Sequence, residues 1–229
     1  MGGIALIPAR GGSRRIPRKN ARPFLGVPAI QRTIATVSGS GVVDRIVVST
    51  DDDEIAALSR DAGAELPGLR PADLADDHAT TLAVVRHAIT AWFAEVDPAT
   101  LLWVVYPAAL LLRTEDLQRA QDMMERADAA FLVPVLRYPH PVERRLRIGQ
   151  DGRLWADDPE HLSTRTQDLE PAFHDAGQFY VGRITSWLVS SPLADERTVG
   201  MELAADHAVD IDGPEDWERA ERLAELAGD

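Results

Sequence analysis

The chain has 229 residues, no cysteine, 45% hydrophobic and 27% charged residues, and a formal net charge of −13 at pH 7. That acidic balance argues against general binding to nucleic acid or anionic membranes, and no apolar run approaches the ~20 residues needed to span a bilayer. Without cysteine there are no disulfides, no thiolate catalysis and no zinc–thiolate sites, so any metal must be held by oxygen or imidazole.

The first predicted element is a buried strand, Ile4-Ala-Leu-Ile7. No charged leader or long apolar segment precedes it, so a cytoplasmic protein without a secretory signal is expected. The strand runs directly into Pro8-Ala-Arg-Gly-Gly-Ser-Arg-Arg-Ile-Pro-Arg-Lys-Asn20, and residues 10–22 hold six cations and no acid. Lys19 is the only lysine in the chain, all other basic residues being arginine. A glycine-containing turn after a first strand lets backbone N–H groups approach an anion while arginines supply bidentate donors. Arg10-Gly-Gly-Ser-Arg14 therefore reads as a phosphate loop, although it lacks both the Gly-Lys-Ser/Thr ending of a P-loop and the third glycine of a dinucleotide fingerprint.

Helical spacing follows over 28–40, then a strand at Arg45–Thr50 and a helix over 52–63 with Asp52 as N-cap and Gly63 as its stop. A helix over 80–95, a strand at Leu101–Tyr106, a helix over 114–127 capped by Thr114 and a strand at Ala129–Val135 continue the alternation. Strand alternating with helix predicts a three-layer α/β domain with a mostly parallel sheet, its ligand lying outside the carboxyl ends of the strands. Regularity fails over about 137–180, where Tyr138-Pro-His-Pro141, Asp151-Gly152 and Asp157-Asp-Pro159 punctuate an excursion. Within it a hairpin around Gln150-Asp-Gly152 is expected, serving as a lid or dimer arm. Beyond it lie an expected strand at Gln178–Val181, another ending in Ala208-Val-Asp-Ile211, and a helix from Pro214 to about Ala227, with Glu215 and Asp216 at its positive end. No repeat or low-complexity linker divides residues 1–229, so a single domain is expected.

Asp210 and Asp212 flank one residue at an expected strand end, which points both carboxylates to one face. Two convergent carboxylates are costly unless a cation joins them, although Asp212 is also a sensible N-cap before Gly213-Pro214. His78, His87, His140, His161 and His207 show no metal spacing and read as structural or exposed, and Asp76 and Asp77 read as surface carboxylates.

Ile4-Ala-Leu-Ile-Pro-Ala-Arg-Gly-Gly-Ser-Arg-Arg-Ile-Pro-Arg-Lys-Asn20 with Pro23-Phe-Leu-Gly-Val-Pro28 resembles the opening of the acylneuraminate cytidylyltransferases, which make CMP-activated nine-carbon sugar acids. Val48-Ser-Thr-Asp51, the stretch from Leu69 to Thr81, Ser163–Asp168, His174-Asp-Ala-Gly-Gln-Phe-Tyr180 and Asp210-Ile-Asp-Gly-Pro-Glu-Asp-Trp217 resemble later family blocks in the same order, so the likeness covers essentially the whole chain. The Arg-Ile-Pro-Arg-Lys-Asn and His-Asp-Ala-Gly-Gln-Phe-Tyr forms look most like the pseudaminic acid branch.

The resemblance implies a Rossmann-like nucleotidyltransferase fold, a homodimer built beside the active site by the excursion, and attack of a sugar-acid anomeric hydroxyl on the α-phosphorus of CTP. It implies that Arg10, Ser13, Arg14 and Lys19 contact phosphates, that Asn20, Arg70, Ala79 and Thr81 line the nucleotide pocket, and that Asp210 and Asp212 ligate Mg²⁺. Arg10, Lys19 and Asp212 would carry catalysis, and Arg165 and Gln178 would bind the nonulosonic acid. His174 lies in a matched block and is a weaker exception among the histidines. The chain departs from the family pattern at Arg14, where lysine is usual, at Gly213, commonly threonine, and at Ala108 and Leu110, which replace a hydroxyl-bearing residue and a turn proline. The last two departures keep open another acceptor, such as sialic acid, legionaminic acid or Kdo. A nucleotide-sugar binding protein without turnover is the reading from a different class.

Overall fold

Alternate side chains of the central strands feed two different cores, and that alternation sets the layers. In the first strand, β1 (Gly3–Pro8), Ala5 and Ile7 enter one apolar cluster while Ile4 and Leu6 enter the other. Strand β5 (Leu101–Val105) repeats the pattern, with Trp103 and Val105 on the first side and Leu102 and Val104 on the second. A strand buried on both faces reads as a continuous apolar run, which is why these segments lacked polar alternation. These are features of a computed structural model that describes residues 2–76 and 78–228; Asp77, expected as a surface carboxylate, lies outside the described residues.

Around β1 and β5 the sheet is completed by β4 (Val43–Ser49), β6 (Phe131–Arg137), β9 (Phe173–Asp175), β10 (Phe179–Arg183) and β11 (Thr198–Glu202), in the order β11-β6-β10-β5-β1-β4 with β9 beside β6. Helices α1 (Ala29–Ser40), α2 (Asp53–Asp61) and α4 (Thr114–Arg126) group on one face, and α3 (Thr81–Trp92) packs with α5 (Ile184–Val189) on the other, giving the three layers expected. The sheet is mixed: β1 is parallel to β4 and β5, and β11 to β6, but β10 runs antiparallel to both β5 and β6. Asp52 caps α2 by accepting from Glu54 N and Ile55 N, and Gly63 takes the left-handed conformation (φ 88°) just past its end.

Two expectations fail. Thr114 is the first helical residue of α4 and not its cap; Arg113 holds the cap position without a side-chain bond. Ala208–Ile211 is not a strand. Its apolar residues are buried, but among the described residues no strand pairs with it.

A third cluster lies beside the layers, where Ile16, Phe24, Leu110, Val209, Ile211 and Trp217 pack together. It joins the basic loop and the small hairpin β2 (Pro23–Phe24) with β3 (Val27–Pro28) to the C-terminal helix α6 (Pro214–Ala227). Leu110, one of the departures noted above, fills this cluster, so its apolar bulk has a packing role. The expected excursion leaves the sheet as the two-stranded hairpin β7 (Leu146–Ile148) and β8 (Leu154–Ala156), followed by short 3₁₀ turns.

Candidate active site

A cavity of about 670 Å³ opens at the carboxyl ends of β1 and β5, where an α/β sheet presents its loops to a ligand. The basic loop forms one wall. Gly11 N donates to Asp51 Oδ1 (2.9 Å), and a Cβ on Gly11 would stand 2.7 Å from Asp52 Oδ2, so glycine is what lets the loop lie against the start of α2. Ile16, 1% exposed, anchors the middle of the loop in the third cluster. This anchoring divides the cations: Arg18 turns away to Asp52 and Glu54, and Arg22 lies over the Trp217 ring. Arg10, Arg14, Arg15 and Lys19 line the cavity together with Ser13.

Asp210 and Asp212 also line the cavity, on a segment held by side chains in place of a sheet ladder. Lys19 Nζ donates to Ile211 O (2.8 Å), and Gln178 Nε2 donates to Ala176 O (2.9 Å) and Val209 O (3.3 Å). Gly213, and not Asp212, holds the N-cap position of α6, and Asp216 in the helix's first turn reaches back to accept from the N–H groups of Asp212 (3.0 Å) and Gly213 (2.8 Å). The Asp212 carboxylate is thereby left facing the cavity, where Arg15 pairs with it at 2.6 Å. Gly177 (φ 63°) passes so near that a Cβ would meet Asp210 Cγ at 3.1 Å, a second position where both conformation and space call for glycine.

The electrostatics follow from this crowding. Loss of hydration, and secondarily the Asp212 charge, push the Asp210 carboxyl above the ordinary aspartate range. Partial burial pulls the Lys19 ammonium below its usual value, against the opposing pull of Asp212 and Asp210. Among the described residues no group of three or more His, Cys, Asp or Glu is placed to hold a metal. Two carboxylate oxygen donors with an under-compensated negative charge nevertheless fit Mg²⁺, which commonly takes one or two carboxylates and completes its shell with water and substrate phosphate.

The remaining walls suit a nucleoside and a polar organic group. Asn20 is 5% exposed; its Nδ2 donates to Arg10 O (2.9 Å), and its Oδ1 is buried without a partner. Arg70, also buried, is fixed by Ser49 through Nε to Oγ (3.0 Å) and through a terminal nitrogen to the carbonyl (2.6 Å). Ala79 and Thr81 line the cavity at the start of α3, which Thr80 caps through Ala83 N. Asp76, read from the sequence as a surface carboxylate, also lines the cavity, and its Oδ1 accepts from His78 N and Ala79 N.

Tyr106, Tyr180 and Asp175 complete the wall beside Ala108. The two rings meet edge to face at 5.8 Å, and Tyr180 O–H donates to Asp175. Burial, reinforced by that bond, holds the Tyr180 phenol far above its ordinary range, so it stays protonated as a donor. Tyr106, Tyr180 and Arg15 were not among the predicted site residues. The alternation of β10 was the available signal: Phe179 and Val181 enter one core, which turns Tyr180 to the other face at the strand end beside the cavity.

All the residues expected to bind nucleotide or metal therefore meet in one cavity, and the two expected to bind the sugar acid do not. Gln178, 1% exposed, lies behind the wall and holds Val209. Arg165 is exposed at the start of a 3₁₀ turn in the excursion and does not line the cavity of its own chain. His174 also lies outside the lining, with its ring 4.9 Å from that of Tyr138.

Comparison with known proteins gives one family model, described as cytidylyltransferase, matching residues 4–227. The pseudaminic acid cytidylyltransferase of Campylobacter jejuni is 34% identical over 97% of this chain and 96% of its own. The CMP-N,N'-diacetyllegionaminic acid synthase of Legionella pneumophila is 30% identical, again over 97% of this chain and 96% of its own. Among solved structures, CMP:2-keto-3-deoxy-manno-octonic acid synthetase complexed with CTP has the same fold, with a TM-score of 0.69 at 16% identity, covering 99% of this chain and 100% of that one.

Proposed function

We propose, for a chain that belongs to the cytidylyltransferase family, that it transfers CMP from CTP to the anomeric hydroxyl of a nonulosonic acid, pseudaminic acid foremost, and releases pyrophosphate. The observation that carries this reading is one cavity lined both by Arg10, Arg14, Arg15 and Lys19 and by Asp210 and Asp212. In the reaction the sugar hydroxyl loses its proton, its oxygen bonds to the α-phosphorus, and the bond from that phosphorus to the β-phosphate bridging oxygen breaks. A protein assists such a displacement mainly by positioning and by neutralising charge on the leaving group.

The loop arginines and Ser13 would hold the triphosphate, and the unpartnered Asn20 Oδ1 would accept from an N–H or O–H of the nucleoside. Asp210 and Asp212 would hold Mg²⁺. Bound there, Mg²⁺ supplies charge neutralisation at the phosphate oxygens and makes the attacking hydroxyl more acidic. Arg15, now on Asp212, would exchange that partner for phosphate. The protonated Tyr180, with Asp175 and Tyr106, would orient the sugar acid. Ala108 in the wall favours a second reading with another 2-keto-3-deoxy acid, because the hydroxyl expected there is missing and its hydrogen bond to the acceptor is lost.

Purified protein with Mg²⁺ should release pyrophosphate from CTP, and not from ATP, GTP or UTP, when given a nonulosonic acid. No release across pseudaminic, legionaminic, sialic acid and Kdo would overturn the reading, and the ranking of turnover among them decides the acceptor. No helix among the described residues is long and apolar enough to cross a membrane, and use of CTP suits a cytoplasmic enzyme.

A homodimer is part of the same proposal. A two-stranded hairpin is marginal alone, yet β7 and β8 expose Ile148 (73%), Leu154 (58%), Leu146 and Trp155. A second copy packed on this arm would cover them. Replacing Ile148 and Leu154 together by aspartate should convert a dimer to a monomer in sedimentation or size-exclusion measurements; an unchanged mass would remove the arm from the interface.

A further inference from the structure

Asp116 is a buried carboxylate, 4% exposed, that lies outside the cavity and that the reaction does not use. It stands in the first turn of α4, accepting from His207 Nδ1 at 3.0 Å and from an Arg119 terminal nitrogen at 3.3 Å. The same Arg119 nitrogen donates to Glu202 O at 3.0 Å. Glu202 ends β11, and His207 lies three residues before Asp210. Helix α4 therefore grips both ends of the turn from 202 to 207, immediately ahead of the two carboxylates.

That turn needs a grip. Among the described residues the last backbone bond to the sheet is Leu203 N to Val135 O (2.9 Å), and from there to α6 no strand partner guides the chain. Gln178 holds the segment at Val209, Lys19 at Ile211 and Asp216 at Asp212; the Asp116 group is the attachment at its start. A buried ionic group is seldom better for stability than apolar side chains of equal volume, so its presence points to a demand for position. The carboxylate acceptor also sets the His207 tautomer, with the proton on Nδ1.

We propose that Asp116, His207 and Arg119 are positioning residues, a clamp that fixes Asp210 and Asp212 for the metal. The inference rests on the reading of those two aspartates as the Mg²⁺ carboxylates. Loss of the clamp should weaken engagement of the metal while leaving every group that touches metal or triphosphate in the chain.

The test measures Mn²⁺ binding by calorimetry in the presence of CTP, the Mg²⁺ concentration giving half-maximal pyrophosphate release, and the melting temperature, in His207→Ala, His207→Asn and Arg119→Ala. The expected result for His207→Ala is a rise of about tenfold in half-saturating metal by both measures, at the low end of the usual effect of an outer partner. His207→Asn should recover most of that loss, because its amide nitrogen falls near the position of Nδ1 and can donate to Asp116. Metal constants within twofold of the parent in His207→Ala, whatever its melting temperature, would overturn the clamp. If His207→Ala does not fold, the exposed Arg119→Ala is read by the same constants, and an unchanged value there overturns it equally. Asp210→Asn separates the two ideas: parental Mn²⁺ binding in that variant would sink the carboxylate assignment itself, whereas lost binding there with unchanged constants in His207→Ala sinks only the clamp.

Discussion

Asp210→Asn should lower turnover by at least about 10²-fold to 10³-fold while raising the melting temperature of the metal-free protein. Both effects come from one feature, a carboxylate whose surroundings disfavour its charge. Asp210 loses hydration against the protein and faces Asp212, so its folded-state pKa lies above the unfolded value. The folded state then binds that proton more tightly than the unfolded chain. The associated stability is fully present below the unfolded pKa and is lost as pH rises through the folded one. At neutral pH the ionised Asp210 is a cost, and an uncharged amide of the same shape removes it. The same amide removes the charge that a divalent cation needs. Asp212→Asn should also lose activity but gain no stability, because Arg15 would be left without its 2.6 Å partner. Pyrophosphate release, paired with thermal melting in a chelator, checks both variants; normal turnover in Asp210→Asn would remove the metal site from that wall.

The basic loop was legible in the sequence because charge and glycine are local signals. What could not be read was the division of labour among its cations, which depends on Ile16 finding a pocket made by Phe24, Leu110 and Trp217 from distant segments. Only once Ile16 is buried do Arg18 and Arg22 face away and Arg10, Arg14, Arg15 and Lys19 face inward. Strands β1, β4, β5, β6 and β10 were legible in the sequence, but β9 and β11 were not, and direction was not, since a run has no polarity; hence β10 entered the sheet against its neighbours. Ala208-Val-Asp-Ile211 misled for a related reason. Burial at Ala208, Val209 and Ile211 looks the same whether a ladder or a third cluster covers it. Both aspartates line the cavity, but the geometry expected for their convergence, alternation along a strand, is replaced by side-chain ties from four other parts of the chain. The positions of Arg165 and Gln178 were not legible either: one is exposed in the excursion, and the other is buried and bonded to Val209 O.

Lys19→Arg should lower kcat/KM by about 10²-fold, although it keeps the charge. The ammonium is half-buried, bonded to Ile211 O, and set between the loop arginines Arg10 and Arg15 and the carboxylates Asp210 and Asp212. A compact point charge on a flexible stem can bond that carbonyl and still present a proton to phosphate. A planar guanidinium needs more width than this position has been built around, and overpacking a close-set site displaces its neighbours. The neighbour displaced would be Ile211, and with it the residues on either side of it, Asp210 and Asp212. Lys19→Met should cost more, about 10³-fold, because it also withdraws the positive charge that restrains the Asp210 pKa. Without that restraint Asp210 protonates at still higher pH, so the acid limb of the pH–rate profile should move upward in Lys19→Met and stay near the parental position in Lys19→Arg. Near-normal kcat/KM in Lys19→Arg would show that charge alone is required there. A limb that does not move in Lys19→Met would show that the lysine and Asp210 are not coupled.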